Sequence, residues 1–217
     1  MNNVFKSIKL DNYILKTYFR TFIVFYVIAT IAGILLAKTP AVIVPIVMIV
    51  TAPFIGTYFS VYEKNSLDKL YGVLPLGKFE VVTGRYLYSL LLGMINGIIG
   101  GILACIISLI TGKGLSFPDY LNYLSVAFLC FSIFIGILLP IYFKFPFSKV
   151  YVFANLPIYL CGVVILYLVK KTDILKNLGS TIQYFTDHQY MIWLSGFGLG
   201  LLLLFISFLI SYAISRK

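Results

Sequence analysis

From residue 86 to residue 112 the chain reads YLYSLLLGMINGIIGGILACIISLITG, without one charged side chain. Crossing the roughly 30 Å hydrocarbon core of a bilayer takes about 17–25 mainly apolar helical residues. Lipid offers no partner for backbone polar groups, so an apolar run this long must close its own hydrogen bonds as a helix. Working outward, the remaining charge-free runs are 21–37, 39–62, 120–143, 150–169 and 189–215. The spacing therefore predicts an all-α polytopic membrane protein, one transmembrane domain over 1–217. Its six spans lie at about 21–37, 39–62, 86–110, 120–143, 150–169 and 190–214. The first run is short, but Arg20 and Lys38 flank it and can snorkel to the interfaces. It lacks a small-residue cleavage site before Lys38, which argues against a removable signal peptide.

Composition agrees. Of 217 residues, 61% are hydrophobic and 11% charged, with a mean hydropathy of +1.01. A soluble domain carries about 25% charged residues. That contrast excludes a free cytosolic enzyme, a secreted disulfide scaffold and a disordered tail. Cys105, Cys130 and Cys161 sit inside apolar runs without a CxxC partner, and read as reduced packing residues.

The net charge of +10 reads as topology. One side holds Lys6, Lys9, Lys16 and Arg20, then Lys64, Lys69, Lys78 and Arg85, then Lys144 and Lys149, then Arg216 and Lys217. The other holds only Lys38, Lys113, Lys170, Lys171 and Lys176. The positive-inside rule predicts both termini in the cytoplasm. Tyr190 and Trp193 then fall in the aromatic belt at the outer end of the last span. No polyanionic partner such as nucleic acid is needed to explain the charge.

Three segments lie outside the spans. In 1–20, Lys6, Lys9, Lys16 and Arg20 share one helical face, with Val4, Ile8, Leu15, Phe19 and Phe22 opposite. That pattern predicts an amphipathic interfacial helix, basic side to headgroups and apolar side to acyl chains. In the loop 63–85, Asn65 or Ser66 can cap a helix, Asp68 suits its first turn, and Gly72 and Pro75 end it. A helix of about two turns is marginal alone, so it needs a surface to lean on. The membrane and a cytoplasmic protein are the two choices. The outer segment 170–189 places Ile174, Leu175, Leu178, Ile182 and Phe185 at helical spacing, broken at Gly179-Ser180, and reads as interfacial or re-entrant.

The stretch Tyr62-Glu63-Lys64, Leu74-Pro75, Lys78, Val81-Val82 and Arg85-Tyr86 resembles the small six-span permeases of the ABC-2 transporter type. Within that class the likeness is to exporters of amphipathic peptides such as phenol-soluble modulins or bacteriocins. The resemblance implies that 65–72 is a coupling helix docked in a separate ATP-binding subunit. Leu67, Leu70 and Tyr71 would be its anchors, with Glu63, Lys64, Asp68 and Lys69 as its polar rim. The family motif would comprise Leu74, Pro75, Val81, Val82, Arg85 and Tyr86. The amino-terminal helix would be the connecting helix, and 174–185 the re-entrant closure of the pathway. The implied assembly has two permease subunits, identical or homologous, and two ATPase subunits in a bacterial plasma membrane. ATP and Mg would reside on the partner, since this chain has no GxxxxGK[ST] and binds no cofactor of its own.

Intramembrane catalysis is the competing class. His188 is the single histidine and lies in the outer segment, and none of the seven acids is mid-span. Metalloproteolysis, multi-Asp phosphatidyl transfer and serine proteolysis at depth all lack their residues. An ion-coupled carrier would keep buried acids for its ion. A non-transporting immunity or sensor protein shares the composition and remains an alternative. Gly93, Gly97 and Gly101 recur every four residues, as do Gly196 and Gly200. Small residues so spaced let helices approach closely, within one subunit or between two. Asn96 and Asn155 read as interhelical hydrogen-bond partners. Pro45, Pro53 and Pro157 are candidate kinks.

Overall fold

The computed structural model describes residues 2–16, 18–36, 40–64, 77–152, 156 and 189–216. All described elements are helical: α1 (Asn2–Lys16), α2 (Phe19–Leu36), a 3-10 turn (Pro40–Val42), α3 (Ile43–Lys64), α4 (Lys78–Thr111), α5 (Phe117–Lys144) and α6 (Gln189–Arg216). Four of them, α3 to α6, are long and apolar enough to cross a membrane. The other two expected spans, at 21–37 and 150–169, are not among these four. The 18-residue α2 contains a shorter apolar helical stretch, Arg20–Ile31, and most of 150–169 lies outside the described residues.

Local chemistry sets the helix ends. The Glu80 carboxylate accepts from the Gly77 backbone N–H at 2.8 Å, so α4 opens on a satisfied donor and an acid in its first turn. It closes at Gly112, whose φ of +66° is the left-handed conformation that glycine adopts without strain. Ser116 starts α5, its hydroxyl accepting from the Asp119 N–H at 3.2 Å, with Pro118 in the first turn where no donor is needed. Pro45 falls in the first turn of α3 and Pro53 in its interior, yet the helix continues to Lys64. The Thr51 and Thr57 hydroxyls bond the carbonyls of Met48 and Phe54 around Pro53. Pro157 and Asn155 lie outside the described residues.

The span expected to open at Tyr86 begins eight residues earlier. The 34 residues of α4 are one helix, about 51 Å long at 1.5 Å per residue. It is longer than the hydrocarbon core, so part of it projects. Residues 78–85, expected as loop, are the first two turns of that helix. The reason is the Glu80 cap together with packing of Val82, Tyr86 and Tyr88 into the core.

Ile43, Val47, Met48 and Ile55 of α3 meet Ala104 and Ile107 of α4 and Phe131, Ile135 and Leu139 of α5 in the centre, nearly all without exposure. The α5–α6 pair packs most extensively. Outward faces stay apolar, with Ile23, Val27 and Ile31 on α2, Leu91, Ile98 and Ile102 on α4, and Leu202, Phe205 and Leu209 on α6 all exposed. An apolar surface of this extent has no place in water. The chain is a multi-pass membrane protein.

Candidate functional site

The ends of α3, α5 and α6 and the beginning of α4 converge at one end of the bundle, which the basic residues Lys64, Lys78, Lys144 and Arg216 mark. At its centre is Arg85, 7% exposed. Its guanidinium carbon lies 4.4 Å from the Phe59 ring centre, 5.1 Å from that of Tyr62 and 5.2 Å from that of Phe143. Two helices, α3 and α5, thus present ring faces to one cation on α4, and desolvated cation–π contacts of this kind contribute up to about 2 kcal/mol each. The positive-inside reading placed Arg85 among the loop charges. The structure corrects this: Arg85 is buried, because α4 extends beyond it and the aromatic box replaces its hydration.

The neighbouring motif residues tie the same helices. Tyr86 bonds the hydroxyls of Ser207 at 2.6 Å and Ser211 at 2.8 Å on α6. Glu63, at the end of α3, accepts from the Ser148 N–H at 3.0 Å and from its hydroxyl, so α3 caps the helical turn after α5. Val82 is buried and Val81 half-buried, while Lys64 is exposed. Phe79 meets Phe208 and Tyr212 edge-on. Leu67, Asp68, Lys69, Leu70, Tyr71, Leu74 and Pro75 lie outside the described residues.

The amino-terminal helix is part of this site. Asn3 donates to Glu80 at 3.1 Å, and Tyr88 donates to Asn12 at 3.1 Å. Between them Ser7 sits over Gly84, its Oγ 2.6 Å from where a Cβ would stand. Positions 3, 7 and 12 of α1 thus follow 80, 84 and 88 of α4, and the two helices run side by side in the same direction. Lys6 and Lys9 are exposed, and Val4 and Ile8 half-buried. The helix packs on α4, and the residues it buries there are Ser7 and Asp11. Sequence reasoning passed over both. The available signal was their helical spacing with Val4 and Ile8, which puts all four in one stripe.

Ser7 Oγ, Asp11 Oδ2 and Arg85 Nε are buried without a hydrogen-bond partner, the three such side-chain atoms among the described residues. An unsatisfied buried group costs about 1–3 kcal/mol, and all three lie on α1 or on the helix it packs against. Burial raises the Asp11 carboxyl from 3.8 to about 6, against the opposing pull of Arg85. The folded protein therefore holds the Asp11 proton more tightly than the unfolded chain does. That stabilisation is present in acid and is lost as the pH rises through about 6. A shift of this size corresponds to about 3 kcal/mol at neutral pH.

Farther along, the glycine rows face neighbouring helices of the same chain. A Cβ on Gly93 would meet Phe131 at 2.7 Å, one on Gly97 Leu124 at 2.9 Å, and one on Gly101 Tyr120 at 2.8 Å. On α6, Gly196 would meet the Ser125 carbonyl oxygen at 2.8 Å and Gly200 the Phe128 ring at 2.8 Å. Asn96 accepts from the Tyr26 hydroxyl, tying α2 to α4 at depth, and donates to the Leu92 carbonyl at 2.8 Å. At the far end Trp193 donates to Asn122 at 2.7 Å. His188, Cys161 and the segment 174–185 lie outside the described residues. A cavity of about 390 Å³ beside Gly93 and Gly97 is walled by Met48, Met94, Leu124 and Phe197, with the Tyr120 side chain at its edge. Among the described residues no three His, Cys, Asp or Glu side chains gather as a metal site.

The described residues thus form an all-helical membrane bundle with a group of polar and cation–π ties at its basic end. The ABC-2 family transporter protein pattern matches residues 8–216, nearly the whole chain, and the chain belongs to that family. Comparison with curated proteins and with solved structures gives no match.

Proposed function

We propose that the chain is the permease subunit of an ABC exporter, driven by a separate ATP-binding subunit and moving an amphipathic or hydrophobic peptide outward. Membership of the ABC-2 family over 8–216 is the observation that carries this reading. The geometry at the basic end supports it. The segment 65–76, which holds the expected coupling helix, is bracketed by Lys64 and Gly77. The helices on either side are joined through Arg85 and its aromatic box, while Glu63 and Tyr86 link them onward to the turn after α5 and to α6. A push on that segment would reach α3, α4, α5 and α6 together, as rigid-body gating requires. In the proposed assembly two permeases, identical or homologous, flank the pathway above two ATPases, which hold the ATP and Mg. An apolar cavity wall suits a substrate with a large apolar face.

The bundle's polarity supports six spans with both termini in the cytoplasm. Helix α5 ends at the basic end and α6 begins at the other, which fits a further crossing between them. A cysteine placed at Lys69 is expected to resist an impermeant thiol reagent in intact cells and to react after permeabilisation. Labelling from outside would reverse the orientation.

Docking is tested by Leu70→Asp, which sets a charge on the expected anchor face. Co-purification with the ATPase is expected to fall at least tenfold, a loss that removal of one buried interface anchor commonly produces. The permease itself should elute as a single species. Wild-type yield of the complex would refute docking through this helix. With the assembled complex in liposomes, ATP-dependent peptide efflux separates export from an immunity role, in which peptide binds but is not moved.

A further inference from the structure

We propose that the α1–α4 seam is a proton-binding site with two arrangements. With Asp11 protonated it keeps the packing seen here, and with Asp11 ionised α1 shifts along α4 until the carboxylate meets the Arg85 guanidinium. Three observations at one place support this. Ser7 and Asp11 on α1, and Arg85 on the α4 helix that α1 packs against, each leave a buried polar atom without a partner. Arg85 spends its charge on the rings of Phe59, Tyr62 and Phe143, while an oppositely charged group stands within electrostatic reach. The seam is also built to shift. Gly84 offers no side chain where Ser7 crosses it, and the flanking ties, Asn3 to Glu80 and Tyr88 to Asn12, are made by side-chain tips that can follow a small displacement.

A neutral carboxyl tolerates the buried position, whereas an ionised one demands a cation. The titratable groups on α1 and on the elements packed against it set the direction. From α4 come Arg85, Tyr88 and, two turns earlier, Glu80. From α3 comes Tyr62, over the same guanidinium. On α1 itself Lys6 and Lys9 are exposed. Arg85 is the cation that acts on Asp11, so ionisation draws α1 toward it. The raised carboxyl places the exchange near the cytoplasmic pH range, where a modest change shifts the populations. On the permease reading above, on which this last step rests, α1 would touch the motor, and the switch would set how firmly motor and bundle are joined.

The test uses the full-length permease alone in nanodiscs, so it is independent of any ATPase or peptide. Spin labels go on cysteines at Lys9 and Lys78, both exposed, in a background without the native cysteines. The wild type is expected to show two label distances whose populations exchange between about pH 5 and about pH 8. Asp11→Asn, neutral and of the same shape, is expected to hold the low-pH distance throughout. A single distance at every pH in the wild type overturns the proposal, as does exchange that persists unchanged in Asp11→Asn. A second measurement covers failure of the variant to fold: amide hydrogen exchange of α1 in the unmutated protein should change severalfold across the same interval. Protection that does not vary with pH also overturns it. A wild type that exports peptide while its seam stays fixed refutes the switch and leaves the permease reading standing.

Discussion

Replacing Gly196 with leucine is expected to destroy the folded bundle. Its Cβ would stand 2.8 Å from the Ser125 carbonyl oxygen and 2.9 Å from the carbonyl carbon. These are backbone atoms of α5, which no rotamer change can move aside. The α5–α6 pair is the most extensive in the molecule, so separating the helices would disturb contacts along their length. Overpacking a core costs about 1–3 kcal/mol where neighbours can adjust, and more where they cannot. The control lies two residues away. A Cβ on Gly198 would meet nothing within 4 Å. Gly198→Leu should therefore express and elute as the wild type does, while Gly196→Leu should aggregate or be degraded. Fluorescence-detected size exclusion of the two variants checks this directly. Equal monodisperse yields would show that the α5–α6 approach is looser than described.

The second large effect is expected at Arg85. Arg85→Glu places a carboxylate against the negative faces of Phe59, Tyr62 and Phe143 and beside Asp11. Ring quadrupoles repel an anion as they attract a cation. Losing three cation–π contacts of about 0.5–2 kcal/mol each, and setting a buried anion in their place, costs several kcal/mol. For a chain of this size that should lower the melting temperature in detergent by roughly 10 °C or more. Arg85→Lys keeps the charge but loses the planar stack on the rings. It should fall between the wild type and Arg85→Glu. Thermal unfolding followed by light scattering orders the three. An Arg85→Glu protein as stable as the wild type would mean that the aromatic box does not hold α3, α4 and α5 together.

These two sites show what kinds of information were open to inspection of the chain. The glycine spacing was visible, and it pointed to close helix approach. Which helix each glycine approaches was not visible, because a periodic row is compatible with any neighbour. The structure supplies the partners: Phe131, Leu124 and Tyr120 for α4, and Ser125 and Phe128 for α6. Arg85 was visible as part of a motif and was assigned to the loop by its position in the charge pattern. Burial could not be read there, since the rings that cover it come from residues 59, 62 and 143. Asp11 was hidden for a similar reason. Its helix is amphipathic by apolar count, and a lone acid in the buried stripe does not disturb that count.

By itself the sequence determined the class: helices long and apolar enough to span a bilayer, charge gathered at one side, and the ABC-2 pattern around Glu63 and Arg85. These are properties of local composition and spacing, and the cost of exposing a backbone to lipid leaves a single secondary structure for such runs. Only the tertiary structure decided how the pieces meet. It set α1 against α4 through Asn3, Ser7 and Asn12. It drew Arg85 into a box of rings and left Asp11 beside it without a partner for one oxygen. Packing between distant segments decides such matters, because the partner of a buried polar group is chosen by what the fold brings within about 3 Å and not by its neighbours in the chain.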